Sequence, residues 1–187
     1  MSTATHGEQL VGAYHKLINE CEVVSYNEFS KEVGDQMEVD VLGIKTTDGH
    51  QRIYVCEVVT HLNGLQYGGT PSDDYWSDYG STAYQGTLDR IYHKFLDDYD
   101  YATRVFDDAD EYRFQFWSPY VPEGGLTDGL DDLVTRFGDE RGEHIGLKIN
   151  GTYTAAIDTL REKAGSETKR YGEPAFRFLQ IVEHMRR

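Results

Sequence analysis

The stretch MEVDVLGIKTTDGHQRIYVCEVV, residues 37–59, contains two runs in which apolar and polar side chains alternate. Such alternation is typical of β-strands whose two faces meet different environments. Between the runs, Asp48-Gly49 is a dipeptide that favours a tight hairpin turn. The stretch therefore predicts a β-hairpin, with strands over 37–44 and 52–61.

Each predicted strand carries a carboxylate among apolar neighbours: Asp40 in the first strand and Glu57 in the second. Residues i and i+2 of a strand point the same way, so Asp40 shares a face with Glu38, and Glu57 shares one with Val59. Paired strands would bring Asp40 and Glu57 side by side, where they repel unless a cation lies between them. A single strand acid can simply face solvent, but two in an apolar setting favour a shared Mg²⁺ site.

The rest of the chain predicts helices and strands in the order α-β-β-β-α-β-α-β-α-α, as one α/β domain over 1–187. Helical periodicity covers 7–21, 83–99, 127–137 and 153–164, and Pro174 opens a last helix. The further strands are EVVSYNEF, EYRFQFWSPYV and HIGLKIN. Residues 62–82 lack periodicity and predict a long loop or lid.

The composition is strongly acidic. Asp and Glu number 33 and Lys and Arg 18, so the formal net charge is 18 − 33 = −15. This charge repels polyanions at long range. It could reflect a high-salt cytoplasm, in which charges are screened, or it could serve binding to a basic protein. With no long apolar run and no leader pattern, we expect a cytosolic protein without a membrane span.

Other chemistries find no support in the sequence. Cys21 and Cys56 lack CxxC spacing and predict buried thiols rather than a zinc site or disulfide. Phosphate-binding loops, HExxH and GxSxG motifs are absent from the sequence, which leaves nucleotide hydrolysis, zinc peptidase and serine hydrolase chemistry without support.

The segments GEQLVGAYHKLINECEVVSYN, MEVDVLGI and RIYVCEVVTHL together resemble the PD-(D/E)XK nuclease superfamily, and most closely the branch with the archaeal Holliday-junction resolvases. In this resemblance Glu8 is the acid of the first helix, Asp40 the hairpin acid, and Glu57 the first residue of E-x-K. The resemblance covers residues 7 to about 120, and 126–187 would be a helical elaboration with one added strand.

The resemblance implies a restriction-endonuclease-like fold, a mixed central sheet flanked by helices with an α-β-β-β-α-β core. It implies Mg²⁺- or Mn²⁺-dependent hydrolysis of DNA phosphodiester bonds, with Asp40, Glu57 and the carbonyl of Val58 holding the metal and Glu8 acting through water. Relatives are often dimers, so a homodimer is a further expectation.

Valine occupies the position of the E-x-K lysine, at Val59. Three explanations remain open: the lysine has moved, the metal suffices alone, or the site is inactive. A moved lysine could be Lys94, in the helix after the loop, or Lys45, past the first hairpin strand. His61 lies about 13 Å along the strand from Glu57, which is too far for it to take the role of the motif lysine.

Substrate contacts are expected from the loop and the helix that follows it. Tyr75 and Trp76 could stack on unpaired bases, and Gln85 could support the metal site or touch substrate. Acids between the loop aromatics also favour a protein-binding patch. The rival to the nuclease is accordingly a catalytically inactive interaction module of the same fold.

Overall fold

The computed structural model describes residues 4–30 and 37–186, and within them lie five strands and five helices around one sheet. The helices are α1 (His6–Leu17), α2 (Thr82–Val105), α3 (Gly125–Arg141), α4 (Asn150–Ser166) and α5 (Pro174–Met185). The strands are β1 (Val23–Phe29), β2 (Glu38–Thr47), β3 (His50–Val58), β4 (Glu111–Ser118) and β5 (Ile145–Ile149). The predicted α/β class and element order are confirmed.

The sheet is mixed, with strand order β1-β2-β3-β4-β5. Strands β1, β2 and β3 are antiparallel neighbours, and β4 and β5 run parallel to β3. The predicted hairpin turn is present, because Asp48 and Gly49 both have positive φ. The ladder continues to Thr47 and His50 at this turn, so both hairpin strands extend closer to it than the sequence pattern indicated.

Helices cover both faces of the sheet. Helices α2 and α3 pack on one face around Leu88, Phe95, Phe114 and Phe137, while α1, α4 and α5 lie on the other. Strand β3 runs through the middle and alternates its side chains between these two layers. Neighbouring residues of β3 therefore enter different cores.

Four helices have bounds that differ from the sequence prediction, and two of these are α3, which covers Gly125–Arg141 instead of 127–137, and α4, which covers Asn150–Ser166 instead of 153–164. Helix α1 ends at Leu17 instead of 21, because the chain turns through the left-handed conformation at Glu20. Helix α2 runs to Val105 instead of 99, because Tyr101 and Ala102 continue its buried face.

The segment between β3 and α2 contains no helix or strand, as predicted for 62–82, and is fixed to α2 at several points. Thr87 Oγ1 accepts from the backbone N–H of Tyr67 at 3.0 Å, and Asp89 accepts from both the N–H and the hydroxyl of Ser72. The loop crosses the helix at Gly86, where a Cβ would collide with the carbonyl of Gly69. None of the helices described here is long and apolar enough to cross a membrane.

Candidate active site

The two strand acids converge on the α2 side of the sheet. The last β2–β3 ladder pair is Val41 with Cys56, and Asp40 and Glu57 are the next residue on each strand. Both are buried, at 9% and 2% exposed. The backbone N–H of Val58 donates to Asp40 Oδ2 at 2.7 Å and fixes that carboxylate against β3.

Lys94 of α2 joins the two acids. Its ammonium contacts Glu57 Oε2 directly and lies 3.7 Å from Asp40 Oδ1. The alternative cation, Lys45, pairs with Glu20 at 3.5 Å. Val59, at the motif lysine position, is buried among the apolar side chains of the α2 layer. The cation at the acids therefore comes from a helix distant in sequence, as the first of the three explanations requires.

A third acid, Asp98, completes this cluster and was not predicted. It lies one helical turn after Lys94, on the same side of α2, and is only 1% exposed. Its carboxyl is within hydrogen-bonding reach of Glu57. Asp98 follows Phe95 by three residues, so an acid at a core position of α2 was the available signal, the same signal that singled out Asp40 and Glu57.

Two carboxyl oxygens of this cluster have no hydrogen-bond donor among the residues that the structure describes. They are Oε1 of Glu57 and Oδ2 of Asp98, both buried. A carboxylate accepts hydrogen bonds but cannot donate, so two facing acids are satisfied only when they share a proton or a cation. The cluster is thus short of positive charge at this point.

The formal charges of the cluster show the same shortage of positive charge. Asp40, Glu57 and Asp98 contribute −3 when ionised and Lys94 contributes +1, so the sum is −3 + 1 = −2. Burial raises the pKa of Asp98 to about 8, and burial with the charges of Asp40 and Asp98 raises the pKa of Glu57 well above its ordinary value. Burial also raises the pKa of Asp40, although Lys94 and the Val58 amide oppose it.

Lys94 responds in the opposite sense. Burial lowers its pKa, but the charges of Glu57 and Asp40 outweigh burial and leave the pKa above its ordinary value. The side chain therefore stays protonated at neutral pH and acts as a cation rather than as a base.

Glu8 lies beside this cluster rather than in it. Its carboxylate closes a capping box at the start of α1, accepting from the N–H of Thr5 at 3.0 Å and from its hydroxyl at 2.7 Å. Asn27 links Glu8 to Glu38 when its amide nitrogen faces them, with donor distances of 3.1 and 3.0 Å. Glu8 is 7% exposed, and its charge adds to the rise in the pKa of Asp40 that burial causes.

Asn27 itself has an unusual backbone. It is opposite Asp40 in the β1–β2 register, between the pairs Tyr26–Val41 and Glu28–Val39, and its φ is +52°. This left-handed conformation within a strand is strained for a residue other than glycine and is often found at functional sites. The residue types of β1 indicated it only weakly.

An open groove of about 760 Å³ leads to the cluster. It is bordered by the end of β1, the start of β2, the loop and the exposed side of α2. Its lining includes Phe29, Glu38, Ser72, Arg90, His93 and Lys94. Lys94 is therefore the member of the cluster that faces the groove.

The three expected substrate contacts lie elsewhere. Trp76 is fully buried against Tyr92, so its ring has no face open to a base, and the expected stacking is replaced by a role in the core. Tyr75 is partly exposed, with the guanidinium of Arg136 4.0 Å from its ring centre. Gln85 donates to the carbonyls of Ser77 and Gly80 and supports the loop.

Comparison with known proteins gives no relative: no family model, curated protein or solved structure matches this chain.

Proposed function

We propose that this protein has a restriction-endonuclease-like fold and is a divalent-metal-dependent nuclease that hydrolyses DNA phosphodiester bonds. The observation that supports this most strongly is the convergence of Asp40, Glu57 and Lys94 from β2, β3 and α2. Two acids and a lysine are also the set that the resembled superfamily uses, here with the lysine supplied by the helix.

The residues present fit a divalent cation. The side-chain ligands available to a metal are carboxylate oxygens, which Mg²⁺ and Mn²⁺ prefer. Glu57 Oε1 and Asp98 Oδ2 are buried and have no donor among the described residues. Once a cation displaces the proton that the raised pKa of Asp98 retains, the cluster has a formal charge of −2, which one divalent ion would balance. Asp40, Glu57 and the carbonyl of Val58 would hold the ion.

Bound there, a divalent cation would activate water and offset charge on a phosphoryl oxygen. The chain's own residues would supply the rest. Lys94, kept protonated by Glu57 and Asp40, would donate a hydrogen bond to a phosphate oxygen and stabilise the negative charge that develops there. The Val58 N–H would hold Asp40 in place through Oδ2, while Oδ1 of Asp40 remains directed at Lys94.

The test is cleavage of plasmid and single-stranded DNA with Mg²⁺ or Mn²⁺, at low and at molar salt. We expect metal-dependent cleavage by the wild-type protein. Glu57→Gln and Lys94→Met should each lower the rate by about 10²–10³-fold, since each removes a charge at the reacting phosphate.

Lys45→Met is the matched control, because it also removes a lysine paired with a glutamate, but at a distance from the cluster. It should cleave like the wild-type protein. A wild-type protein that cleaves no DNA in either salt would favour the inactive interaction module instead. Equal rates for Lys94→Met and Lys45→Met would remove Lys94 from the proposed site.

A further inference from the structure

We infer that the groove beside Lys94 binds a short single-stranded stretch of DNA, with Arg90 holding one phosphate and Phe29 stacking on a base. This inference rests on the proposed function and deepens it, because it names the form of DNA that reaches the site. It follows from the positions of the cations, acids and aromatic rings around the groove.

Arg90 is positioned to bind an anion. It is exposed, lines the groove, and precedes Lys94 by one helical turn on the same side of α2. Within residues 4–30 and 37–186 it forms no ion pair, and its guanidinium lies 5.0 Å from the ring centre of Tyr67. Tyr67 is itself fixed by Thr87, so the guanidinium is held in place before substrate arrives. A planar guanidinium with its donors free suits a phosphate.

Acids limit how far a polyanion can extend from Arg90. Glu38 and Asp97 line the same groove and carry no compensating ion pair among the described residues. Asp89 also lines it, but its two oxygens accept from Ser72. Favourable phosphate contact is therefore confined to the neighbourhood of Arg90 and Lys94, and a row of phosphates would meet repulsion on either side.

The surface elsewhere gives a duplex little to bind. Specific duplex-binding interfaces are large and strongly positive. Several cations of the described chain are instead held by acids, among them Arg52 with Glu111, Arg136 with Glu140, and Arg161 with Glu183. With a net charge of −15, the protein as a whole repels duplex DNA. A flexible strand that inserts one phosphate avoids most of this repulsion.

Phe29 adds a contact that only an unpaired base can use. It lies at the end of β1, lines the groove, and is 56% exposed although it is a large apolar ring. A base can stack on such a ring when it is free of a duplex stack. The phosphate position at Arg90 and the ring of Phe29 border the same groove.

The test is fluorescence anisotropy with a labelled short oligothymidylate and with a blunt duplex, in parallel with kinetics of cleavage. We expect the single strand to bind more tightly than the duplex. Arg90→Ala should weaken binding by roughly tenfold and raise KM similarly while kcat changes little, because it removes one charge-assisted contact. Phe29→Ala should also weaken single-strand binding by roughly tenfold, through loss of a stack.

Arg170→Ala is the matched control, since Arg170 is exposed and lies before α5, away from the groove; it should bind like the wild-type protein. The logarithm of the binding constant should fall with the logarithm of salt at a slope of only about −0.7 to −1.4, as expected for one or two phosphates. The inference would be overturned by tighter binding of the duplex than of the single strand, by a steep salt slope, or by no binding of the single strand at all. Equal affinities of Arg90→Ala and Arg170→Ala for the single strand would overturn it as well. Metal-dependent cleavage that persists alongside such a result would leave the proposed function standing, whereas loss of cleavage alone would count against the proposed function only.

Discussion

Cys56 and Glu57 are adjacent on β3, yet they lie in two buried polar clusters of opposite character on the two faces of the sheet. On the α1 side, His15 Nε2 lies 3.2 Å from Cys56 Sγ and His15 Nδ1 lies 2.9 Å from Asn19. Burial lowers the pKa of His15 to about 3 and raises the pKa of Cys56 well above its ordinary value, so both are neutral. This cluster is closed, because its polar groups satisfy one another.

The cluster on the α2 side is open by comparison. Lys94 is protonated and lies at a groove, and the raised pKa of Asp98 keeps a proton among the acids at neutral pH. Two carboxyl oxygens have no donor among the described residues. Both clusters are buried, so burial of polar groups does not by itself distinguish a site from a core. What distinguishes them is an excess of acids over cations and an unsatisfied atom next to an opening, since evolution has little other reason to retain such a cost.

The largest effect should come from Lys94→Met, which removes the only cation that pairs with the three acids among the described residues. We expect the free energy of unfolding at neutral pH to fall by about 2–4 kcal/mol, because a buried ion pair that loses one partner leaves uncompensated charge. Denaturant unfolding measures this, with Lys45→Met expected to change stability by less than about 1 kcal/mol. If the two variants are equally stable, the α2 cluster is not the charged site described here.

The next effect should come from His15→Ala, which opens the closed cluster. We expect a loss of about 2–3 kcal/mol from lost packing and hydrogen bonds. Unlike the variants of the open cluster, it should leave the response of the melting temperature to Mn²⁺ unchanged. A variant that also lost the Mn²⁺ response would show that the two faces are coupled.

The two clusters should respond to pH with opposite signs. The pKa of Asp98 is about 8 in the folded protein against 3.8 ordinarily, so the folded state holds more protons between those values and stability falls as pH rises from about 4 to 8. The pKa of His15 is about 3 against 6.5, so the unfolded state holds more protons there and stability falls as pH decreases from about 6.5 to 3.

Metal-free unfolding measured across this range, with variants, separates the two effects. Asp98→Asn should reduce the loss at high pH, with Glu57 supplying what remains, and should leave the loss at low pH. His15→Ala should do the reverse. Identical pH profiles for both variants would contradict the assignment of a charged and a neutral cluster.

The smallest effect concerns Asn27, whose strained backbone lies beside Asp40. Asn27→Ala should cost about 1–2 kcal/mol, since it loses the amide contacts with Glu8 and Glu38 and keeps the left-handed φ. Asn27→Gly should cost less by about 1 kcal/mol, because glycine adopts this conformation without strain. Equal stabilities would mean that the backbone of β1 relaxes at this position.

The sequence allowed much of this fold to be predicted, because hairpin alternation, the Asp48-Gly49 turn and helical periodicity are local signals. It also placed Asp40 and Glu57 together, since strand pairing brings them into register, and it named Lys94 as one of two possible lysines. The choice between Lys94 and Lys45 depended on where α2 packs, which no local pattern specifies. Asp98 was overlooked although it breaks an apolar helix face. The left-handed backbone of Asn27 had only a weak signal in the residue type, because asparagine adopts this conformation more readily than most residues other than glycine.

Trp76 illustrates the opposite error. An aromatic residue in a loop rich in Gly, Ser and Asp resembles an exposed contact, but here the loop folds back over α2 and buries the indole. Loops that contribute to a core carry no periodicity, so their buried residues cannot be separated from exposed ones by pattern alone.

The most direct measurement is the melting temperature of the metal-free protein during titration with Mn²⁺, for the wild-type protein, Glu57→Gln and Glu111→Gln. Glu111 is an acid paired with Arg52 outside the cluster and serves as the control. A cation held by Asp40 and Glu57 predicts a melting temperature that rises with Mn²⁺ for the wild type and for Glu111→Gln but stays constant for Glu57→Gln. A wild-type protein whose melting temperature does not change, or an equal rise in all three, would contradict the account.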